Sequence, residues 1–151
     1  MLMRRNFRMK RWIAVLAACL VLGAGAQNRP QAGPGTATDP WIYGPNNTWN
    51  PNWNQRPNPV RGACFFTTAQ FVGNKFCVRS GSRLAALPGN FGDNISSIQI
   101  FGRARVHIFN DRNFSGGSAS LTRSVSDLRR LRFRGGHTWN NRISSIAVSS
   151  Y

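Results

Sequence analysis

The sequence predicts an all-β fold, and three observations support this prediction. Glycine, asparagine and proline are frequent, whereas few segments show helical periodicity. Apolar residues alternate with polar ones, as in residues 104–109, where Ala104, Val106 and Ile108 share one face. This period of two is typical of a half-buried strand. The third observation is a tandem repeat within residues 62–151.

The N-terminus, residues 1–26, is predicted to be a secretory signal peptide. Five Lys and Arg fall in residues 1–11, and an apolar run follows at 12–22 that is too short to span a membrane. An Ala-Gly-Ala cleavage site at 24–26 completes the pattern. We therefore expect a secreted or periplasmic protein. The alternative is a lipoprotein anchored through Cys19, which ends a lipobox-like Leu-Ala-Ala-Cys segment.

The charge balance is strongly basic. The chain has twenty Lys and Arg against four Asp and no Glu, a net charge of +16. Signal cleavage removes five of the basic residues and leaves a net +11. Such a balance favours anionic partners. No helix-turn-helix, zinc or RNP-type pattern is present, so a specific nucleic-acid reader is not predicted.

The next segment, residues 27–61, is predicted to be an extended or disordered arm. It holds seven prolines and many asparagines, with no apolar periodicity. It also holds four aromatic side chains that are unusual in such a composition: Trp41, Tyr43, Trp49 and Trp53. One interpretation is that they pack loosely on the domain surface. The other is that they form a stacking or glycan-contacting arm.

Residues 62–151 consist of two similar units, 62–102 and 103–151. An aromatic, four residues, a second aromatic, any residue and a glycine occur at 66–73 and again 43 residues later. Ile-Ser-Ser-Ile occurs at 95–98 and again 48 residues later. A repeat of this length indicates two supersecondary units that share one core. We expect four strands in each unit: a hairpin, a third strand and the Ile-Ser-Ser-Ile strand.

Export makes a disulfide the better prediction for the remaining cysteines, Cys64 and Cys77. A hairpin turn centred between Gln70 and Phe71 would place them directly opposite each other on adjacent strands. In the chain-entropy model, closing this loop contributes about 3 kcal/mol of stability. The alternative is a pair of buried free thiols.

The combined signatures resemble those of the βγ-crystallin family. Its Greek-key motifs carry aromatic-x4-aromatic-x-Gly and, later, a turn of the form N/D-N/D-x-x-S/T-S. Here these turns are residues 92–97 (the first turn) and residues 140–145 (the second turn). The resemblance covers about 90 residues and implies a Greek-key β-sandwich of two four-stranded motifs.

The resemblance also implies two Ca²⁺ sites, because calcium-binding members hold the ion in these turns. Each ion takes turn oxygens from one motif and a hydroxyl from the other. Carried over, the first site would use Asp93, Asn94 and Ser144. The second would use the oxygens of four residues, Arg142 lending only its carbonyl: Ser96, Asn140, Asn141 and Arg142.

Both turns depart from the family's pattern. Gly92 replaces the first acid or amide of the first turn, and Asn141 stands where an acid is usual in the second. So few charged ligands predict weak binding, with a dissociation constant of roughly 10⁻⁴–10⁻³ M or weaker. The alternative is that the turn residues, with Ser97 and Ser145, only cap the backbone.

An arginine-rich segment interrupts the second unit. Four arginines fall within six residues: Arg129, Arg130, Arg132 and Arg134. They could bind phosphates or acidic glycans of the cell envelope, with Phe133 stacking on the ligand. The alternative is a solvated charge run that discourages edge pairing of strands.

Enzymatic chemistry is not predicted. The two histidines, His107 and His137, lack neighbouring ligands for zinc, and the four aspartates do not form an acid/base pair. We therefore expect a non-enzymatic module. Because some relatives of this fold inhibit metalloproteinases in soil bacteria, the resemblance leaves a secreted proteinase inhibitor as the alternative function.

Overall fold

The computed structural model describes residues 41, 43–44 and 47–151. All of them belong to one compact unit. The predicted signal peptide, the processing site at Cys19 and the N-terminal part of the predicted arm lie outside the described residues. None of the helices in the described part is long and apolar enough to cross a membrane.

In the described part of the chain, seven strands form two antiparallel sheets. The strands are β1 (Gly62–Thr68), β2 (Val72–Arg79), β3 (Arg83–Leu84), β4 (Ser97–Phe101), β5 (Ala104–Phe109), β6 (Ser118–Leu121) and β7 (Ser145–Ser150). One sheet has the order β2-β1-β4, and the other has the order β3-β7-β5-β6. The predicted all-β sandwich of two sheets is therefore confirmed.

The two motifs exchange their third strands. β3 belongs to the first motif in sequence, yet it pairs with β7 in the sheet of the second motif. Reciprocally, Val125 of the second motif pairs with Ile98 of β4 through two backbone hydrogen bonds of 2.8 and 2.9 Å. This exchange is the Greek-key connection, and it makes the two motifs share one core.

Among the described residues the second motif has three named strands, and its predicted third strand is reduced to the bridge at Val125. The chain turns soon afterwards, because the Asp127 carboxylate accepts a 3.0 Å hydrogen bond from the Arg129 N–H and caps the 3-10 helix Leu128–Arg130. This cap ends the extended conformation before a longer strand can form.

Both hairpins turn in the same way, at Gln70 and Phe71 in the first motif and at Asn113 and Phe114 in the second. All four residues adopt positive φ between 58° and 64°. The glycine two residues beyond the second aromatic, Gly73 in the first hairpin, also has positive φ (84°). A Cβ there would lie 2.7 Å from two threonine hydroxyls. The repeated glycine is thus required by both conformation and space.

The core lies between the sheets, where the strand alternation predicted it. Ala104, Val106 and Ile108 are fully buried, whereas Arg105 is exposed. Burying such aliphatic side chains contributes about 1.5–3 kcal/mol each. The other large core residues are aromatic or aliphatic side chains from both motifs: Phe65, Phe76, Phe91, Ile95, Ile98, Leu128, Trp139, Ile143 and Ile146.

The prediction of a disordered arm is wrong for its described part. Tyr43 and Trp53 are only 3% and 4% exposed and belong to the main core cluster. Trp53 lies in the short helix α1 (Asn52–Gln55), whose Asn54 Oδ1 accepts a 2.9 Å hydrogen bond from the Lys75 N–H. Aromatic rings bury 150–250 Å² each, which offsets the entropic cost of ordering a proline-rich segment. Composition alone does not reveal that burial.

The predicted disulfide is present. Cys64 and Cys77 are paired directly across β1 and β2 and are joined by a disulfide bond. Both are fully buried in a small second cluster with Phe66, against which Trp41 and Phe101 also pack. The bond therefore lies beneath the aromatic side chains of the arm and the sheet.

Candidate functional site

The first and second turns lie against each other. The Asp93 N–H donates a 3.0 Å hydrogen bond to the Ile143 carbonyl oxygen, and the Asn141 N–H donates one of 2.9 Å to Ile95. Asp93 and Asn141 hold nearly identical positive φ values of 52° and 53°. Short polar side chains such as these adopt that conformation most readily. The turns are therefore related by an approximate twofold symmetry.

Each turn also receives a serine hydroxyl from the other motif. Ser144 Oγ lies 3.0 Å from Asp93 Oδ1, and Ser96 Oγ lies 3.3 Å from Asn141 Oδ1. The structure thus brings together one pair of the side chains assigned to each site, Asp93 with Ser144 and Asn141 with Ser96. Each turn leads into a strand that pairs with the first strand of its own motif, and the Ser96 and Ser144 N–H groups donate to the carbonyls of Phe66 and Phe109. The hydroxyls reach the other motif because the two turns lie against each other.

Three oxygens converge in the first turn. Ser144 Oγ is 2.8 Å from the Asn110 carbonyl oxygen as well as 3.0 Å from the Asp93 carboxylate. A hydroxyl has one proton and can donate to only one of these acceptors at a time. One carboxylate, one carbonyl and one hydroxyl are oxygen donors that suit Ca²⁺, which takes six to eight oxygens in flexible geometry. The residues present therefore fit a weak calcium site that water would complete.

Two other residues assigned to the sites have different surroundings. The side-chain amide of Asn94 donates a 3.3 Å hydrogen bond to the Asn90 carbonyl oxygen. The Arg142 guanidinium lies 3.3 Å from the imidazole Nδ1 of His137 and is exposed. Asn94 therefore caps its own turn, and the Arg142 guanidinium lies beside His137; the Arg142 carbonyl as a ligand stays a prediction.

The second turn is less suited to a cation. Asn141 supplies an amide where the first turn has a carboxylate, and Asn140, Ser96 and Arg129 line a pocket of about 180 Å³ beside it. The Asp127 carboxylate pairs with this guanidinium, so the second turn differs from the first chiefly in lacking a carboxylate of its own. The position equivalent to Arg129 beside the first turn is held by Pro88. The two positions are equivalent because the preceding residues make the same hydrogen bond. The Leu87 N–H, just before Pro88, donates to the Ser144 carbonyl, and the Leu128 N–H, just before Arg129, donates to the Ser96 carbonyl.

The sixth-position serines serve the backbone. Ser145 is fully buried; its hydroxyl donates a 2.6 Å hydrogen bond to the Asp111 carbonyl and accepts a 3.0 Å bond from the Phe114 N–H. Ser97 does the same with Thr68 (2.7 Å) and Phe71 (3.1 Å). The capping interpretation is therefore confirmed for these two serines, which lock each hairpin turn to the strand behind it.

The four clustered arginines do not form one site. Arg129 makes a bidentate ion pair with Asp127, with N···O distances of 2.9 and 3.0 Å. Its hydrogen bonds hold the pKa of Asp127 below its usual value and raise the pKa of Arg129. Arg132 and Arg134 instead line a separate groove. All of these arginines, Arg130 included, are exposed.

The aromatic ring between the last two arginines is already engaged. Phe133 packs edge-on against the Trp139 ring, with centroids 4.8 Å apart and planes at 70°. It also lies against Gly117, where any Cβ would collide with the ring. The position of the Phe133 ring is therefore fixed by Trp139 and Gly117, and its stacking on a ligand stays a prediction.

Sequence reasoning missed two parts of these sites. The backbone oxygen of Asn110 joins the first turn from a distant hairpin, and no residue-type signal marks a carbonyl. The groove beside Arg132 and Arg134 has Gly116 and Gly117 as its wall. Their double glycine was visible in the sequence, but its spatial neighbour was not. Among the described residues no three His, Cys, Asp or Glu side chains cluster as metal ligands.

Comparison with known proteins finds similarity among solved structures. No protein-family model matches the sequence, and no curated protein is significantly similar to it. Similar solved structures include βγ-crystallin domains. One, from "Evolution of the eye lens beta-gamma-crystallin domain fold", has a TM-score of 0.53 and 24% identity over 64% of this chain and 93% of that one. A second is the domain of Abundant Perithecial Protein from Neurospora crassa in the Ca²⁺-bound form. It has a TM-score of 0.50 and 18% identity over 63% of this chain and 94% of that one.

These likenesses agree with the observed topology. Two antiparallel sheets, exchanged third strands and a repeated aromatic hairpin are present in residues 62–151. At identities below 25%, the structural similarity establishes the fold. The expectation drawn from the aromatic hairpins and the N/D-N/D-x-x-S-S turns is confirmed at that level: this chain contains a domain with the two-motif Greek-key fold of the βγ-crystallins.

Proposed function

We propose that this protein is an exported, non-enzymatic βγ-crystallin-type module that binds Ca²⁺ weakly in its first turn. The observation that carries the proposal is that two oxygens converge on the Ser144 hydroxyl: Asp93 Oδ1 lies 3.0 Å from Ser144 Oγ, and the Asn110 carbonyl oxygen lies 2.8 Å from it. The Ca²⁺-bound form of the similar Neurospora crassa domain supports the choice of ion. Ca²⁺ bound here would tie the two motifs together, since the oxygens come from both.

The proposed affinity is low and differs between the turns. The first turn offers one carboxylate and the second none, on a chain of net charge +16 before processing. We expect a dissociation constant of roughly 10⁻⁴–10⁻³ M for the first turn, at the extracellular end of the range for calcium proteins. The Asn141 amide, which stands where the first turn has the Asp93 carboxylate, makes the second turn the weaker one.

Thermal unfolding with and without Ca²⁺ tests this proposal. At a Ca²⁺ concentration of about ten times the dissociation constant, linkage predicts about 1.4 kcal/mol of stabilisation. For a domain of this size that raises the melting temperature by roughly 5–10 °C. Asp93→Asn should abolish the rise in melting temperature, whereas Asn141→Ala, at the equivalent position of the second turn, should preserve it. An unchanged melting temperature in the parent, against NaCl of equal ionic strength, would contradict the proposal.

A second candidate function is binding to anionic polymers of the cell envelope. Arg132 and Arg134 favour it, because both are exposed and neither makes an ion pair within the described part of the chain. Such binding should weaken steeply between about 50 and 200 mM salt. Retention on an immobilised polyanion over this range measures it, and elution at the same low salt as a neutral protein would exclude it.

A further inference from the structure

A groove of about 420 Å³ lies beside β6, away from both oxygen-rich turns. Its lining includes Gly116, Gly117 and Ser118 on one side and Arg132, Phe133 and Arg134 on the other. This volume is within the range of sites that hold small organic ligands. The groove therefore has room for one or two sugar-sized rings.

Glycine is required where the groove passes the second hairpin. Gly116 has φ of 75°, and a Cβ on it would collide with the Asp111 carboxylate and the Asn110 side chain. A Cβ on Gly117 would collide with the Phe133 ring. This wall is therefore bare backbone, which brings peptide groups within reach of a ligand.

The charge of the groove is positive. Arg132 and Arg134 are exposed, and no ion pair or side-chain hydrogen bond engages them within the described residues. Asp111 is the carboxylate that adjoins the groove, next to Gly116, and it accepts a 3.0 Å hydrogen bond from the Asn110 amide. Two unpaired guanidiniums against one partly satisfied carboxylate favour an anionic ligand.

The mixture of groups in the lining distinguishes between anionic ligands. Phosphate oxygens mostly accept hydrogen bonds, whereas the Ser118 hydroxyl and the bare peptide wall both donate and accept. A nucleic-acid strand is held by stacking on several exposed ring faces, whereas the aromatic side chains of this lining are the half-buried Phe133 and the buried Trp139 that packs against it. A polyhydroxylated ring that carries a carboxylate uses the arginines and the backbone together. The lining thus favours an acidic sugar.

We propose that this groove binds uronic-acid units of an acidic polysaccharide, with Arg132 and Arg134 pairing with the carboxylates and the glycine wall contacting ring hydroxyls. The proposal rests on the second candidate function and names its ligand class and its site. It confines recognition to Arg132 and Arg134. Arg129 is excluded because Asp127 already pairs with it.

Titration of the ¹⁵N-labelled protein with hexagalacturonate, followed by amide chemical shifts at low salt, tests the proposal. We expect the largest shifts at Gly116, Gly117 and Ser118. The fully methyl-esterified hexamer, which keeps the rings but loses the charges, should bind at least about tenfold more weakly. Ser118→Trp, which fills the groove without changing a charge, should also abolish the shifts.

Two double variants with equal net charge separate this groove from general basicity. Arg132→Gln/Arg134→Gln should weaken hexagalacturonate binding by about tenfold or more. Arg103→Gln/Arg123→Gln removes two exposed arginines elsewhere and should change it by less than about twofold. An equal loss in both variants would overturn the proposal and leave only nonspecific anion binding.

A hexathymidylate control distinguishes uronate recognition from general polyanion binding. If it binds as tightly as hexagalacturonate with shifts at the same glycines, the site is a general polyanion groove and the uronate assignment is wrong. If neither ligand binds at low salt, both the groove proposal and the anion-binding candidate fail. If both bind without shifts at Gly116 and Gly117, only the groove proposal fails.

Discussion

Replacing Trp53 with alanine is the sharpest test of how the arm is organised. A disordered arm, as composition predicts, would make this change nearly neutral. In the structure Trp53 is 4% exposed, its ring centroid lies 4.3 Å from that of Tyr43, and it stacks on Phe91 at 6.0 Å. Removing a buried tryptophan side chain costs about 3–5 kcal/mol, because both transfer energy and packing are lost.

Such a loss is large against the 5–15 kcal/mol that stabilises a typical domain. With an m-value of about 1.5 kcal/mol/M, a loss of 4 kcal/mol lowers the urea midpoint by roughly 2.7 M. Equilibrium unfolding in urea, monitored by far-ultraviolet circular dichroism with the disulfide kept oxidised, measures this shift directly.

Val60→Ala is the matched control, since Val60 lies in the same arm and is 95% exposed. We expect its free energy of unfolding to stay within about 0.5 kcal/mol of the parent value. If Trp53→Ala also stays within that limit, the buried position of the arm is refuted and the composition-based prediction stands.

Three further outcomes follow from the structure. Ser145→Ala should lower the free energy of unfolding by about 1–3 kcal/mol in urea titrations, because it leaves the Phe114 N–H and the Asp111 carbonyl, both in part-buried hydrogen bonds, without their partner. The hydrogen bond from Arg129 lowers the folded-state pKa of Asp127. Their interaction therefore stabilises the fold above about pH 4, and this stabilisation is lost as the pH falls through the folded-state pKa. Asp127→Asn should remove that pH dependence from the urea midpoints. Replacing Cys64 and Cys77 with alanine should lower stability by about 3 kcal/mol, measured the same way.

Each of these outcomes has a control or a contrary result. Ser149→Ala, on the exposed end of β7, should change the free energy of unfolding by less than about 0.5 kcal/mol. An equally small change for Ser145→Ala would contradict the bridging role of the Ser145 hydroxyl. For Asp127→Asn, a midpoint that falls with acid as steeply as in the parent would exclude the ion pair as a cause. For the cysteine variant, a free energy of unfolding equal to that of the oxidised parent would mean that the disulfide does not stabilise the fold.

Local pattern predicted the parts of the molecule in which neighbouring residues decide the outcome. The alternation at Ala104, Val106 and Ile108 identified a buried strand face, because successive side chains of a strand point to opposite sides. The aromatic spacing placed both hairpins. The cysteine pairing followed from the turn position, since antiparallel register is fixed once the turn is known. The resemblance to the βγ-crystallin turns, rather than local pattern, implied that Asp93 and Ser144 lie together.

Tertiary contact decided what local pattern could not. The proline-rich arm orders because Tyr43 and Trp53 find a hydrophobic surface on the first motif, and composition carries no record of that surface. Arg129 lies at one pocket and Arg132 at another, although they are three residues apart, because a 3-10 turn and a short bridge separate them. The sequence determines the repeated hairpins and turns, since these depend on short-range geometry. The third oxygen from Asn110 and the groove beside Gly117 arise only when distant hairpins pack together.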